Sequence, residues 1–392
     1  MKRNLVTMSL AAVLLASGAQ AQDITITWLV PAKNIGNGYL PKVSSDGIQN
    51  VVTIDQVNMG PSNPMNGVPN GLAAFQDHIG TIDTASISWA GGSKYLYSPP
   101  QTTPQIGHAP SIALAYDGSD NYDTAIEVHQ GGQDSDGSLW YQIGKNSPPF
   151  FSNIVWSSAD RYGTGYNATV AADLNGKSLT TSTVVEVHQE SAGESALYYK
   201  VGVLTLGPSP SISWGSSIEI NAGLNQGYVP TVTVANNIAV LVAQGTSGAL
   251  WYAIGVVDTA TYTINWTDPI PYAGGGYNPT VSAWGNGGAS IIGKGRVVVE
   301  AHQLDSSTGP LVYSVGLLKN GVGGSAPTSI EWSTVMDIPY STGCYPSVAI
   351  SFDGYTPPNP NGTTSNLSVT ETHETACGTA PIDYMFGYLV AN

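Results

Sequence analysis

The chain has 392 residues, with 12 basic and 27 acidic side chains, a formal net charge of −15, 46 Gly and 25 Pro. A surface this acidic repels nucleic acid and anionic membranes, which excludes both as partners. Only 10% of residues are charged, Tyr and Trp number 21 and 9, and short β-branched runs alternate with Gly, Pro, Asn and Ser, which describes an all-β protein with many turns.

The chain opens on MKRNLVTMSLAAVLLASGAQAQ, with basic Lys2 and Arg3, a short apolar run and a small-residue cleavage site at Ala19–Ala21. This reads as a signal peptide over residues 1–21, too short in its apolar run to serve as a membrane anchor. The mature chain, 22–392, is then a secreted or periplasmic protein without membrane insertion.

ITITW (24–28) comes next. It is the first of six short strands ending in Trp, near residues 28, 89, 156, 214, 266 and 332. A second element starts with Gly and usually Tyr: GYLPKVS (38–44), GHAPSIA (107–113), GYNATVA (165–171), GYVPTVT (227–233), GYNPTVS (276–282) and GCYPSVA (343–349). A third is VVTIDQ (51–56), AIEVHQ (125–130), VVEVHQ (184–189), VLVAQ (240–244), VVEAHQ (298–303) and VTETHE (369–374). A fourth is aromatic: LWYQIG (139–144), LYYKVG (197–202), LWYAIG (250–255), LVYSVG (311–316) and IDYMFG (382–387), with FQDHIG (75–80) as a degenerate first copy. Six copies of four strands predict one six-bladed β-propeller of four-stranded antiparallel blades over 22–392. A sandwich array or a β-helix is the competing architecture.

Strand order predicts the closure. Each repeat runs from the Gly-Tyr strand, innermost, to the Trp strand, outermost. That leaves ITITW orphaned at one end and IDYMFGYLV orphaned at the other. The N-terminal strand should complete the last blade and remove its open edge. Cys344 begins the inner strand of that blade, and Cys377 follows the strand antiparallel to it. Both fall at one rim, so a disulfide is expected in an exported chain.

The third element carries the conspicuous chemistry. Glu127/His129, Glu186/His188, Glu300/His302 and Glu371/His373 lie two apart and share a strand face. The first repeat has Thr53/Asp55 instead, and the fourth has Leu241/Ala243. A pair that recurs blade after blade reads as a structural hydrogen-bond network, against the alternatives of a repeated ligand site or a metal site. Two ligands per blade fall short of the four that structural zinc takes. No cofactor is expected. Asp117, Asp120, Asp123, Asp134 and Asp136 are weak calcium candidates, and solvated acidic turns are the plainer reading.

No single catalytic constellation stands out. Sialidases, which are six-bladed, gather three arginines on a substrate carboxylate; beyond the signal peptide this chain has only Arg161 and Arg296. DSDGSLW (134–140) and TSGALW (246–251) approach a sialidase Asp-box but place Ser135 and Thr246 where the Asp belongs. Neither a Gly-x-Ser-x-Gly elbow nor a His-Glu-x-x-His helix occurs. Glycosidase chemistry asks for only two carboxylates, so a secreted glycan hydrolase or lyase stays as an alternative.

Recurring aromatics and amides remain. Tyr166, Tyr228 and Tyr277 follow the Gly of the inner strand, and Trp140, Tyr198 and Trp251 are second in the aromatic strand. Gln130, Gln189, Gln244 and Gln303 end the second strand. All belong to one rim and together suit sugar rings, with interblade packing as the competing role of each aromatic. In repeat number, repeat length and the turns GSLWY and GALWY, the layout resembles the secreted six-bladed propeller lectins, including the fungal fucose-binding type and related bacterial proteins. That resemblance spans nearly all the mature chain and implies repeated glycan sites between blades. The expected function is therefore glycan binding rather than catalysis, with a scaffold for protein partners as a further alternative.

Overall fold

The computed structural model describes residues 23–58, 73–83, 85–90, 94–95, 97–98, 103–104, 106–115, 124–131, 137–146, 153–173, 180–193, 195–220, 227–245, 248–285, 296–321, 326–352, 363–378 and 381–391. The expected signal peptide and all five calcium-candidate aspartates lie outside them.

Every regular element described is a β-strand. The third blade is typical. Tyr166–Ala172 pairs with Thr181–Gln189, which pairs with Leu197–Thr205, which pairs with Ser211–Trp214, all antiparallel. Tyr228–Ala235, Ile238–Gln244, Leu250–Asp258 and Thr263–Trp266 repeat the pattern as the fourth blade. Six such blades follow one another around an axis. The axial cavity, about 70 Å³, is lined by three consecutive residues from each of six inner strands, for example Val43–Ser45, Val170–Ala172 and Val348–Ile350.

The closure is as expected. Ile24–Asn37 runs antiparallel along Pro381–Ala391, from Ile24 opposite Ala391 to Asn37 opposite Pro381, and supplies the outer strand of the sixth blade. The same strand is tied sideways to the fifth blade. Ser333 Oγ accepts from Ile24 N (3.1 Å), and Tyr313 Oη accepts from Ile26 N (2.9 Å). Cys344 and Cys377 form the disulfide, with Cα atoms 5.2 Å apart. In a loop-entropy account, closing 33 residues contributes about 3–4 kcal/mol.

The Trp strand is not the end of a blade, however. Asp160–Thr164, Ile218–Glu219 and Ile270–Ala273 pair with the first half of the same third strand whose second half holds the Trp strand. The outer edge is thus made in two pieces joined by a break. In the sixth blade one long strand, Ile24–Asn37, covers both halves. What reads in sequence as a polar crossover is partly this second outer piece.

Alternation along each second strand divides the core among the interfaces. Val185 and Val187 face blade four, whereas Val184 faces blade two. Six apolar clusters result, one per interface, the last joining Val43, Val51 and Ile82 of blade one to Tyr384, Phe386 and Tyr388 of blade six. A ring in which all six interfaces are filled has no free sheet face left.

The Gly-Tyr strands share a feature that sequence did not announce. The ladder slips by one residue at each mouth, between Tyr166 and Thr169, Tyr228 and Thr231, and Tyr277 and Thr280. The residue after the Tyr takes a left-handed conformation: Leu40, Ala109, Asn167, Val229, Asn278 and Tyr345 have φ between 47° and 53°. For a β-branched residue such as Val229 this is strained. The bulge turns that residue's N–H out of its own ladder.

Candidate functional site

Where those N–H groups go defines the rim. Val229 N donates to Gln189 Oε1 of the preceding blade (3.1 Å), and Tyr345 N donates to Gln303 Oε1 (2.8 Å). Ala109 N does the same to Gln56 Oε1 (3.2 Å). At the ring closure Leu40 N reaches Glu374 Oε1 (2.8 Å), a carboxylate in the glutamine position. The other end of each amide is also occupied. Gln189 Nε2 donates to Gly193 O (2.7 Å) and Gln303 Nε2 to Asp305 O (3.2 Å). Asn167 and Asn278 add further donors to the same Gln189 and Gln303 oxygens, each at 2.6 Å. These two amides are interblade latches, fully buried and spent on protein. Gln130 is buried as well, and Gln244 is partly exposed.

Register brings the aromatics and the strand-end amides together. Tyr166 stands opposite Gln189, Tyr228 opposite Gln244, and Tyr277 opposite Gln303. One residue along, His188 faces Tyr198 and Ala243 faces Trp251. Exposure separates these residues. Tyr228 is 38% exposed, Tyr166, Tyr277, Trp140 and Tyr198 are half-buried, and Trp251 is only 5% exposed within the apolar cluster between blades three and four. Trp140 Nε1 is held by Ser138 Oγ (2.9 Å), and the Tyr198 ring stacks on His188 (5.8 Å, 13°).

Beneath the rim lie the Glu-x-His pairs. Each imidazole Nδ1 donates to the carboxylate two residues back: His129 to Glu127 and His188 to Glu186 at 2.9 Å, His373 to Glu371 at 2.9 Å, His302 to Glu300 at 3.1 Å. All eight side chains are 0–3% exposed. Burial by itself would lower the His302 and His373 pKa values, but Glu300 and Glu371 outweigh it and leave both raised. Three of the four pairs also meet a tyrosine from the second outer piece of the previous blade. Tyr340 Oη donates to Glu371 (3.1 Å), and its ring stacks on Trp28 (5.3 Å). Tyr162 faces Glu186 and stacks on Trp214, and Tyr272 faces Glu300 and stacks on Trp332. In these two the phenol lacks a closed hydrogen bond, yet burial and the facing carboxylate hold its pKa well up.

The two exceptions are informative. Leu241 and Ala243, in the Glu and His positions of blade four, meet Ile220 where the tyrosine would stand, so all three polar groups are exchanged together. In blade one the pair is rearranged. Asp55 occupies the His position, and the imidazole comes from His78 on the neighbouring strand, with Nε2 3.0 Å from Asp55 Oδ2. Gln76 Nε2 donates to the other oxygen (2.7 Å). Burial raises the Asp55 pKa, opposed by His78 and Gln76. FQDHIG, read as degenerate, therefore carries the missing half of a pair. In the five blades that carry such a pair, the same layer explains the glycine at the head of the inner strand: a Cβ at Gly276 would lie 2.6 Å from His302 Cδ2.

The two arginines beyond residue 21 lie apart. Arg161 pairs opposite Trp140 at this rim, whereas Arg296 precedes Val297, whose partner Trp284 ends its inner strand at the other rim. The two cannot act on one carboxylate. Among the described residues no three His, Cys, Asp or Glu side chains gather as a metal site.

No protein-family model matches the chain, and neither does any curated protein. Similar solved structures include the subtype N11 neuraminidase-like protein of A/flat-faced bat/Peru, with 11% identity, 94% of each chain covered and a TM-score of 0.44. Trypanosoma rangeli sialidase in complex with the inhibitor DANA is 9% identical, with 93% of this chain and 60% of that one covered and a TM-score of 0.47. The hemagglutinin-neuraminidase of parainfluenza virus 5 is 7% identical, with 94% and 95% covered and a TM-score of 0.49. The likeness is one of chain course alone.

Proposed function

We propose that the protein is an exported glycan-binding propeller whose sites lie on the rim at the mouths of the inner strands. One observation carries this reading: Tyr166, Tyr228 and Tyr277 recur at the same point in three successive blades, partly open to solvent, on a backbone fixed by the bulge. Rigid aromatic faces beside ordered polar groups suit the C–H faces and hydroxyls of a sugar ring. Trp140 and Tyr198 widen the platform at blades two and three. Gln189 and Gln303 act by holding the next blade's mouth in place, while Gln130 and Gln244 stand at its margin. Trp251 contributes mainly by packing. The lectin-like turns GSLWY and GALWY point the same way, and the disulfide suits an oxidising compartment.

A glycan array on residues 22–392 identifies the ligand, and titration then compares the protein with Tyr228→Ala and Tyr277→Ala. Each change should weaken binding by about 1–3 kcal/mol with an unchanged melting temperature. Unaltered affinity in both variants refutes the rim site. Chromatography of the titrated sugar discriminates the alternative, since cleavage products would make the protein a hydrolase or lyase.

A further inference from the structure

The collar at the rim end of the axial cavity is nearly uniform. In each inner strand one residue faces the same point of the second strand: Ser111 opposite Val128, Thr169 opposite Val187, Thr231 opposite Val242, Thr280 opposite Ala301 and Ser347 opposite Thr372. These hydroxyls join neighbouring blades beside the axis. Thr169 Oγ1 donates to Pro230 O (3.2 Å), Thr231 Oγ1 donates to Pro279 O (2.7 Å), and Ser347 Oγ accepts from Val43 N (3.0 Å). In the first blade the position, opposite Ile54, is Lys42. Its side chain shares a strand face with Ser44, whose Oγ accepts from Leu114 N of blade two (3.0 Å), so Lys42 points across the same gap.

This lysine has no hydrogen-bond or ion-pair partner among the described residues, in a protein of net charge −15. Burial is the sole cause that lowers its pKa, to about 8, and no carboxylate raises it. The ammonium is therefore charged at neutral pH, only part-exposed, and uncompensated. An unpaired cation this desolvated is costly unless an anion completes it. The next three residues of each inner strand line the cavity, so the collar is its threshold, on the rim that carries Tyr166, Tyr228 and Tyr277.

We propose that the collar is an anion-binding site in which Lys42 receives a carboxylate or sulfate group, carried by an acidic sugar of the glycan bound at the rim. The anion site stands on Lys42 and the collar; the sugar as its bearer rests on the glycan reading above. Lys42→Thr installs the residue that three other blades use, so it should fold and melt like the parent, and Lys42→Arg keeps the charge. Calorimetric titration of residues 22–392 with sodium sulfate, sodium glucuronate and glucose tests both parts. Sulfate and glucuronate should bind once per chain, at least tenfold more weakly in Lys42→Thr, and near parental affinity in Lys42→Arg. Glucose should be indifferent to the change. Equal binding by the parent and Lys42→Thr, or no binding of either anion, overturns the site. Sulfate binding without glucuronate binding keeps the anion site and overturns its acidic-sugar occupant.

Discussion

Breaking one Glu-x-His pair should be far more harmful than exchanging it whole. At the interface of blades five and six, Glu371 is fully buried between His373 Nδ1 at 2.9 Å and Tyr340 Oη at 3.1 Å. His373→Ala leaves the carboxylate with the phenol alone, and loss of one partner of a buried pair costs about 3–5 kcal/mol. With an unfolding entropy of roughly 2.1 cal/mol/K per residue over the ring, the melting temperature should fall by about 4–6 °C. Glu371→Leu strands the imidazole and should cost a similar amount. The combination Glu371→Leu with His373→Ala reproduces Leu241 and Ala243 of blade four, where an apolar set closes the interface without any charge. The double variant should cost no more than the worse single one, a coupling of at least about 3 kcal/mol in a double-mutant cycle. Denaturant unfolding by tryptophan fluorescence measures all four proteins. Costs that simply add would show that the pair is not a unit. The pH dependence supplies a second check. Because the folded His373 pKa is raised, its stabilisation is complete below the unfolded value near 6.5 and fades as pH climbs through the folded one. The His373→Ala penalty should therefore shrink from pH 6 to pH 9.

Two further outcomes follow from the same geometry. Deleting residues 23–37 removes the outer strand of the sixth blade and opens the edge of Pro381–Ala391, so the product should aggregate on size exclusion; a monomer with parental melting behaviour would contradict the closure. Val229→Gly relieves a left-handed β-branched residue at φ 47° and should raise stability by about 1 kcal/mol, measured by denaturant midpoint, with a fall counting against strain at the bulge.

Much of this was legible in the residues. Six Trp-ended strands and six Gly-Tyr mouths set the blade number, and the orphaned ITITW set the closure. The disulfide followed from the strand order. What stayed hidden is instructive. A Gln at a strand end looks the same whether its amide meets a sugar or the next blade's Val229 N–H; only the third dimension tells them apart. The bulge at Tyr-x-Pro hid because left-handed positions usually betray themselves as Gly or Asn, and here Leu40, Ala109, Val229 and Tyr345 occupy them. Tyr162, Tyr272 and Tyr340 lay in stretches that read as crossovers. The Asp55–His78 pair escaped notice because its halves sit on different strands, so no two-residue spacing links them.

The seam between Ile24–Asn37 and Pro381–Ala391 also orders events in time. Ile24–Asn37 cannot find its partner until Pro381–Ala391 has been made, so the ring stays open while the residues between them are synthesised. Pairing across almost the whole chain is slow, since its loop entropy must be overcome before any contact repays it. The export proposed above would gain from such a delay, because a translocation channel accepts threads rather than rings. On this view closure is a timer, set by the long stretch of chain between one blade's outer strand and its partner.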